Sequence, residues 1–290
     1  ERGVTDAGAN SGGGRVTEQD AAAYVDFHSH LVPGVDDGAR TIEDTLDAVQ
    51  RMTRMGIRKI LTTPHLDGSI TKDPEALEAR LTEVTRAWEE AADAIGRDFP
   101  EVEFKCGHEV MLNIPDVDFS DPRVRLDGTS FVLIEWPRLQ VPPGTVQVLE
   151  RIVAEGYKPI VAHPERYIGI DRSADVIREW RETGAHLQVN YGSLFGRYGA
   201  AARSIAGHIL KRGWADYLAS DFHGQGEQKI YFEEIATRLE DLGAAEALKA
   251  LCVTNPGRIF RDEEPLPVPL LPPETGFWAK MKGIVNQGRV

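Results

Sequence analysis

The chain has 290 residues, 41% apolar and 27% charged, with a formal net charge of -13 at neutral pH. That balance describes a soluble globular protein, and an acidic surface argues against a nucleic-acid partner. No run approaches the roughly eighteen apolar residues that cross a bilayer, no signal peptide is visible, and two cysteines, Cys106 and Cys252, build no disulfide framework and fit a reducing, cytoplasmic compartment.

Residues 1–21 carry Gly3, Gly8, Gly12, Gly13 and Gly14 with almost no large apolar side chain, and are expected to be disordered. From 22 to 262 short β-rich runs alternate with amphipathic helical stretches, which predicts one domain built on a mostly parallel sheet. The first strand, 22–27, ends in His28-Ser29-His30. A helix follows from Thr41, with Asp44 completing a capping-box pattern and Ile42, Leu46 and Val49 facing inward. The second strand, 59–63, runs into Pro64-His65, and Asp73-Pro74 opens the next helix as a cap followed by proline at the first helical position. Strand 102–106 ends in Gly107-His108-Glu109, and strand 131–134 in Glu135-Trp136-Pro137. After a helix at 144–155, strand 159–162 ends in His163-Pro164-Glu165-Arg166-Tyr167. A helix at 173–183 leads to strand 186–189 and Asn190; a helix at 200–212 leads to strand 217–219 and Ser220-Asp221-Phe222-His223. The last helix is expected over 228–250. Residues 263–290 read as a tail, proline-rich over 263–275. Phe277, Trp278, Met281, Ile284 and Val285 in it would suit a short helix that docks on a membrane or partner, though so short a helix does not hold by propensity alone.

Chemistry-bearing residues thus follow every strand, and the carboxyl ends of parallel strands converge on one face. His28 and His30 stand at i and i+2 and can share one ion; Asp221 and His223 repeat the spacing. Imidazoles and carboxylates without thiolates suit manganese, iron or zinc, and several carboxylates allow more than one ion. His108, His186 and His208 are read as structural histidines. Asp26 either orients a ligand histidine from behind or simply closes the strand. The run Cys252-Val253-Thr254-Asn255-Pro256-Gly257-Arg258 matches Cys-x5-Arg, the pattern of cysteine-based tyrosine phosphatases. Pro256 removes an N–H that such a loop needs, and Cys252 lies in an apolar run, so it reads as a small core residue.

With these residues in order, the sequence resembles the PHP (polymerase and histidinol phosphatase) superfamily. It is most similar there to the manganese-dependent tyrosine-protein phosphatases of bacterial capsule and exopolysaccharide loci. The resemblance spans about 24–262 and rests on Asp26-Phe27-His28-Ser29-His30, Val35-Asp36-Asp37-Gly38, Thr63-Pro64-His65, Gly107-His108-Glu109, Leu133-Ile134-Glu135, Ala162-His163-Pro164-Glu165-Arg166-Tyr167, Gln188-Val189-Asn190, Ser220-Asp221-Phe222-His223 and Asn255-Pro256. It implies a distorted seven-stranded βα-barrel of the TIM type holding three divalent ions, manganese first, with iron or zinc as alternatives. His28, His30, Glu109 and Asp221 would hold the first ion; Glu109, Glu135 and His163 the second; Asp37, His65 and His223 the third. Spacing does not separate Asp37 from Asp36. Arg166 would bind phosphate. Members commonly carry a second arginine shortly after the last histidine, but Gly224-Gln225-Gly226-Glu227-Gln228 has none, which leaves Arg197 or Arg258 as replacements. The implied reaction is direct attack on phosphorus by hydroxide generated on a divalent ion, with the other ions and Arg166 stabilising the phosphoryl oxygens and His65 a candidate proton donor. The implied substrate is an autophosphorylated bacterial tyrosine kinase, with the C-terminal tail as a possible docking segment. A phosphatase of small phosphate esters and a non-catalytic metal-stabilised module are the competing readings.

Overall fold

The computed structural model describes residues 23–171 and 173–272. The expectations for residues 1–21 and for the segment from Phe277 to Val285 lie outside these residues.

Nine strands occur among the described residues: β1 (Tyr24–Asp26), β2 (Ile57–Thr62), β3 (His65–Asp67), β4 (Glu103–Cys106), β5 (Glu109–Met111), β6 (Phe131–Glu135), β7 (Lys158–Ala162), β8 (His186–Asn190) and β9 (Tyr217–Ala219). All seven expected strands are present, and β3 and β5 are additional. Pairing is parallel throughout, in two sheets, β1-β2-β4 and β3-β5-β6-β7-β8-β9, where one seven-stranded sheet was expected. The division has a local cause. Thr63-Pro64 interrupts the chain between β2 and β3, and Gly107-His108 interrupts it between β4 and β5. Both chains break at the same level and resume in the same register: Lys59 pairs with Glu103 below the break and His65 with Glu109 above it, the same offset of 44 residues.

The helices are α1 (Ile42–Arg54), α2 (Pro74–Asp98), α3 (Thr145–Ala154), α4 (Asp175–Glu182), α5 (Gly199–Lys211), α6 (Phe232–Asp241), α7 (Ala245–Lys249) and α8 (Asn255–Ile259). The capping box of α1 is formed in both directions: the Asp44 N–H donates to Thr41 Oγ1 at 3.2 Å and the Thr41 N–H to Asp44 Oδ2 at 3.1 Å. Asp73 caps α2 through Oδ1, which accepts from the Glu75 and Ala76 N–H groups, each at 3.1 Å. The single helix expected over 228–250 is instead two. Gly243, at φ +70°, ends α6 with a paired closure in which its N–H reaches the Glu240 carbonyl and the Ala244 N–H reaches back to Leu239. A π-helical turn, Ala250–Thr254, then joins α7 to α8.

Two apolar layers result. Phe27, Leu61, Phe131, Leu133, Ile160, Ala162, Tyr217 and Ala219 pack together with Ile259 of α8 into one cluster, while Ile60, Val132, Ile134, Val161, Leu187, Val189 and Leu218 pack into the larger cluster shared with the helices. Strand alternation therefore puts Gln188 and Asn190 on the opposite face of β8 from Leu187 and Val189. The first residues of the expected tail are fastened to the domain. Asn255 accepts the Leu266 N–H and donates to the Leu266 carbonyl, Glu264 meets His186 at 2.9 Å, and Val268 and Leu271 pack against the core. No helix among the described residues is long and apolar enough to cross a membrane.

Candidate metal centre

The centre begins where β1 passes β9. The Asp221 N–H donates to the His28 carbonyl and the His30 N–H to the Phe222 carbonyl, both at 2.8 Å, around a parallel bridge between Ser29 and Phe222. Two i, i+2 pairs are thereby laid side by side, and the His30 and His223 rings stack with centroids 4.3 Å apart. Buried Asp26 fastens this junction from below, accepting the Ser220 N–H and hydroxyl at 2.8 Å each. Of the two roles left open for Asp26, orientation of a ligand histidine is not formed: Asp26 closes β1 and ties Ser220, the residue before Asp221, while His28 and His30 are held by Gln188 and Asp36. Asp221 and His163 hold left-handed backbones, at φ +50° and +35°, a strained conformation for non-glycine residues that aims both side chains inward at their strand ends.

The other strands complete the ring. His65 and Glu109 are register partners on β3 and β5, and Glu135 closes β6. Glu109, 1% exposed, lies at the middle: its carboxylate is 3.2 Å from His28 Nε2, 3.4 Å from His30 Nε2, 3.3 Å from His65 Nδ1 and 2.9 Å from His163 Nε2. Asp221 Oδ1 stands 3.6 Å and 3.5 Å from the Nε2 atoms of His28 and His30. On the open side, Asp37 Oδ1 lies 3.4 Å from His65 Nε2 and 3.5 Å from His223 Nε2. All nine expected ligands thus come together in four overlapping groups whose ligand atoms lie within 4.8 Å of one another.

Geometry also separates the two aspartates. Asp36 is fully engaged, with Oδ2 on His30 Nδ1 at 2.8 Å and on the His65 N–H at 3.1 Å, and Oδ1 on the Gly38 N–H at 2.9 Å. Asp37 points into the cluster. The loop can fold this tightly over His30 because residue 38 is glycine: a Cβ there would sit 2.1 Å from the His30 carbonyl oxygen.

Three imidazoles, those of His28, His30 and His223, are oriented from behind by groups not expected in that role. Gln188 Oε1 accepts from His28 Nδ1 at 2.9 Å and from the His163 N–H at 3.2 Å, and Gln188 Nε2 donates to Asn190 Oδ1 at 2.8 Å. Asp36 does the same for His30, and the Asp221 carbonyl takes His223 Nδ1 at 3.0 Å. A proton on each Nδ1 leaves each Nε2 with its lone pair toward the carboxylates. In the sequence Gln188 and Asn190 stand within the Gln188-Val189-Asn190 motif without an assigned role, and they alternate with Leu187 and Val189 on the strand.

The residues fit a cation. His28 Nε2, His30 Nε2, His65 Nδ1 and Glu109 Oε2 are buried and have no hydrogen-bond partner, yet face one another across these short gaps. Lone pairs opposed to carboxylate oxygens need positive charge between them. With protons as that charge, burial pulls the His28 imidazole down but Glu109 and Asp221 outweigh it and hold it up at about 9. Burial and the Glu109 charge push the Glu135 carboxyl up to about 7, while burial and Arg166 hold His163 down. A divalent ion displaces such protons.

Arg166 reaches this cluster, donating from Nη1 to Asp221 Oδ2, to which Asn190 Nδ2 also donates at 2.8 Å. The structure does not bring Arg197 into it: its Nη1 binds the Lys229 carbonyl at 3.1 Å and its guanidinium lies 5.3 Å from the Tyr198 ring. Arg258, the other expected replacement, lies away from the cluster. It sits on α8 at the apolar floor and is held by Glu263 and the Glu264 carbonyl. The Cys-x5-Arg run is helical, with Cys252 fully buried and its thiol pushed well up by burial, so it forms no phosphate loop. The three histidines read as structural stay apart: His108 bonds the Arg123 carbonyl, His186 meets Glu264, and His208 packs on Trp214.

Fold and site together define a class, α/β proteins that carry a histidine–carboxylate metal centre at the carboxyl ends of parallel strands. Residues 24–261 match the family described as capsular polysaccharide synthesis, CpsB/CapC. The chain belongs to that family. It is 28% identical over 223 residues to tyrosine-protein phosphatase YwqE of Bacillus subtilis, covering 74% of this chain and 84% of the relative. It is 25% identical over 251 residues to tyrosine-protein phosphatase CpsB of Streptococcus pneumoniae, covering 82% and 99%. A solved structure from work on YwqE and CpsB, described as unique metal-dependent tyrosine phosphatases, superposes with a TM-score of 0.71 at 25% identity, covering 86% of this chain and 99% of that one. A phosphotriesterase homology protein from Escherichia coli, 15% identical with a TM-score of 0.50 over 83% of this chain and 99% of that chain, shares the fold alone.

Proposed function

We propose that this chain is a metal-dependent tyrosine-protein phosphatase acting in the cytoplasm on an autophosphorylated bacterial tyrosine kinase of capsule or exopolysaccharide synthesis. One observation carries the reading: five imidazoles and four carboxylates converge with buried, unpartnered ligand atoms beside an arginine. His28, His30, Glu109 and Asp221 would hold one ion, Glu109, Glu135 and His163 a second, and Asp37, His65 and His223 a third, with manganese the metal we favour. We also read the two sheets as one interrupted barrel, joined by the Ser29–Phe222 bridge, and residues 22–262 as its single domain.

Bound divalent ions supply charge for the phosphoryl oxygens and a hydrolytic water of lowered pKa. The protein's part is placement. Gln188 and Asp36 fix imidazole tautomers, and the apolar cluster beneath excludes water and strengthens every charge above it. Arg166, tied to Asp221 through one nitrogen, keeps further donors for a phosphoryl oxygen. Both ring nitrogens of His65 face cluster carboxylates, so we place it among the holders of the centre and not as proton donor. A tyrosine leaving group, with a phenol pKa of about 10, departs with little help.

The test is activity on phosphotyrosyl peptide and on sugar phosphates with chelated, manganese-reloaded and Cys252→Ser protein. We expect chelation to abolish turnover, manganese to restore it, and Cys252→Ser to retain it. Activity that survives chelation and disappears in Cys252→Ser overturns the mechanism. A higher specificity constant on the sugar phosphates overturns the substrate.

A further inference from the structure

Arg166 has one feature that its pairing with Asp221 does not explain. It leaves the chain from a short 3-10 turn, Pro164–Arg166, which follows the left-handed His163. A side chain with several free torsions on such a turn loses about 2 kcal/mol of rotamer freedom when it is fixed. One contact to Asp221 fixes a single nitrogen and leaves the guanidinium plane free to swing about it. Tyr198 supplies the missing constraint. The Arg166 guanidinium carbon lies over the Tyr198 ring, 4.3 Å from its centroid. The ring comes from a different part of the fold, the residue that precedes α5, and α5 packs against the Pro164–Arg166 turn.

The hydroxyl is the weaker part of this residue. It stands 3.5 Å from Asp221 Oδ2 and 3.5 Å from Asn190 Nδ2, at the limit of a hydrogen bond, whereas Asn190 already serves the same Asp221 oxygen at 2.8 Å. The ring face is the contact to Arg166, and a guanidinium over an aromatic face gains from the ring quadrupole.

We propose that Tyr198 is a positioning residue whose ring holds the Arg166 guanidinium in the pose that receives phosphate. This rests on the reading that Arg166 binds phosphate. With no arginine in the 224–228 stretch, the aim of Arg166 matters the more.

The experiment uses the full chain loaded with manganese, a phosphotyrosyl peptide, and inorganic phosphate as a competitive inhibitor. Four variants are compared: Tyr198→Phe, Tyr198→Leu, Arg166→Ala and the double variant Arg166→Ala/Tyr198→Leu. Tyr198→Leu is expected to raise KM and the inhibition constant of phosphate by about 3-fold to 30-fold, the range of one cation–π contact, with a smaller change in kcat and unchanged metal content. Tyr198→Phe restores both constants to within about twofold of the parent, and in the Arg166→Ala background the leucine adds less than about twofold. If Tyr198→Phe is as damaging as Tyr198→Leu, or if the leucine penalty persists in full without Arg166, the ring-platform inference falls while the phosphate role of Arg166 stands. If Arg166→Ala itself changes neither constant, the phosphate reading of Arg166 falls and takes this inference with it.

Discussion

Replacing Gln188 with leucine tests whether tautomer control holds the centre together. The side chain makes three contacts: Oε1 accepts from His28 Nδ1 at 2.9 Å and from the His163 N–H at 3.2 Å, and Nε2 donates to Asn190 Oδ1 at 2.8 Å. Leucine keeps the approximate volume and removes all three. His28 then keeps its proton on Nδ1, buried without an acceptor at about 1–3 kcal/mol, or moves it to Nε2 and ceases to be a ligand. Either route costs metal affinity, and removal of such an orienting group typically lowers it about 10-fold to 100-fold, or about 1.4–2.7 kcal/mol. Gln188→Glu keeps an acceptor for His28 Nδ1 and is expected to stay within about threefold of the parent affinity, since a carboxylate behind a ligand histidine is a common arrangement. The assay is metal content by mass spectrometry after dialysis against buffered manganese, together with the manganese concentration that gives half activity. A leucine variant that keeps the parent's circular dichroism spectrum and a half-activating concentration within about twofold refutes the reasoning.

Gly38→Ala would place a methyl 2.1 Å from the His30 carbonyl oxygen, so the loop must lift and carry Asp36 and Asp37 with it; kcat/KM is expected to fall more than about 10-fold with less metal bound, read by turnover and metal analysis. Asp37→Asn, at an exposed position, is expected to lose metal with little change in thermal stability, whereas Asp36→Asn, which weakens three hydrogen bonds, lowers stability by about 1–3 kcal/mol and keeps its metal at saturation. Calorimetry with metal counting separates the two, and the reverse pattern would make Asp36 the ligand. Burial holds His108 down from 6.5 to about 4. Above the unfolded pKa of 6.5 the ring is neutral in both states; below it the unfolded chain takes up a proton that the folded one refuses, so stability falls by about 3 kcal/mol between pH 7 and pH 4. His108→Gln removes that dependence, and urea unfolding of both proteins in chelator should show their difference shrinking by that amount as pH falls.

What was legible in the sequence follows from what a strand imposes. Alternation and strand ends are local properties, so His28, His30, His65, Glu109, Glu135, His163, Asp221 and His223 could be placed on one face without any contact being known. β3 and β5 were not legible, because Pro64 and Gly107 read locally as strand stops, while the pairing that continues past them depends on a neighbour 44 residues away. Gly243 did carry a helix-end signal, and the expected 228–250 helix ran through it. Arginine partners were the least legible, since a long side chain reaches carbonyls and rings that spacing does not reveal; hence Arg258 went to Glu263 and Glu264 at the floor.

The glutamines after His223 show how such a departure acquires meaning once partners are known. Gln228 accepts the His223 N–H at 3.1 Å, and Gln225 donates to the carbonyls of Asp37 and Gly38. Arg51 holds the Gly226 and Gln228 carbonyls from the α1 side. Where the resemblance led us to expect a second arginine, this chain has amides that brace His223 and the Asp37 loop. A neutral amide cannot stand in for a guanidinium at a phosphate, but it can brace half-buried His223 and exposed Asp37 at the open edge of the centre. The loop therefore adds rigidity where Asp37 and His223 meet, and under the proposed function phosphate recognition would fall on Arg166 and on whatever keeps that side chain aimed.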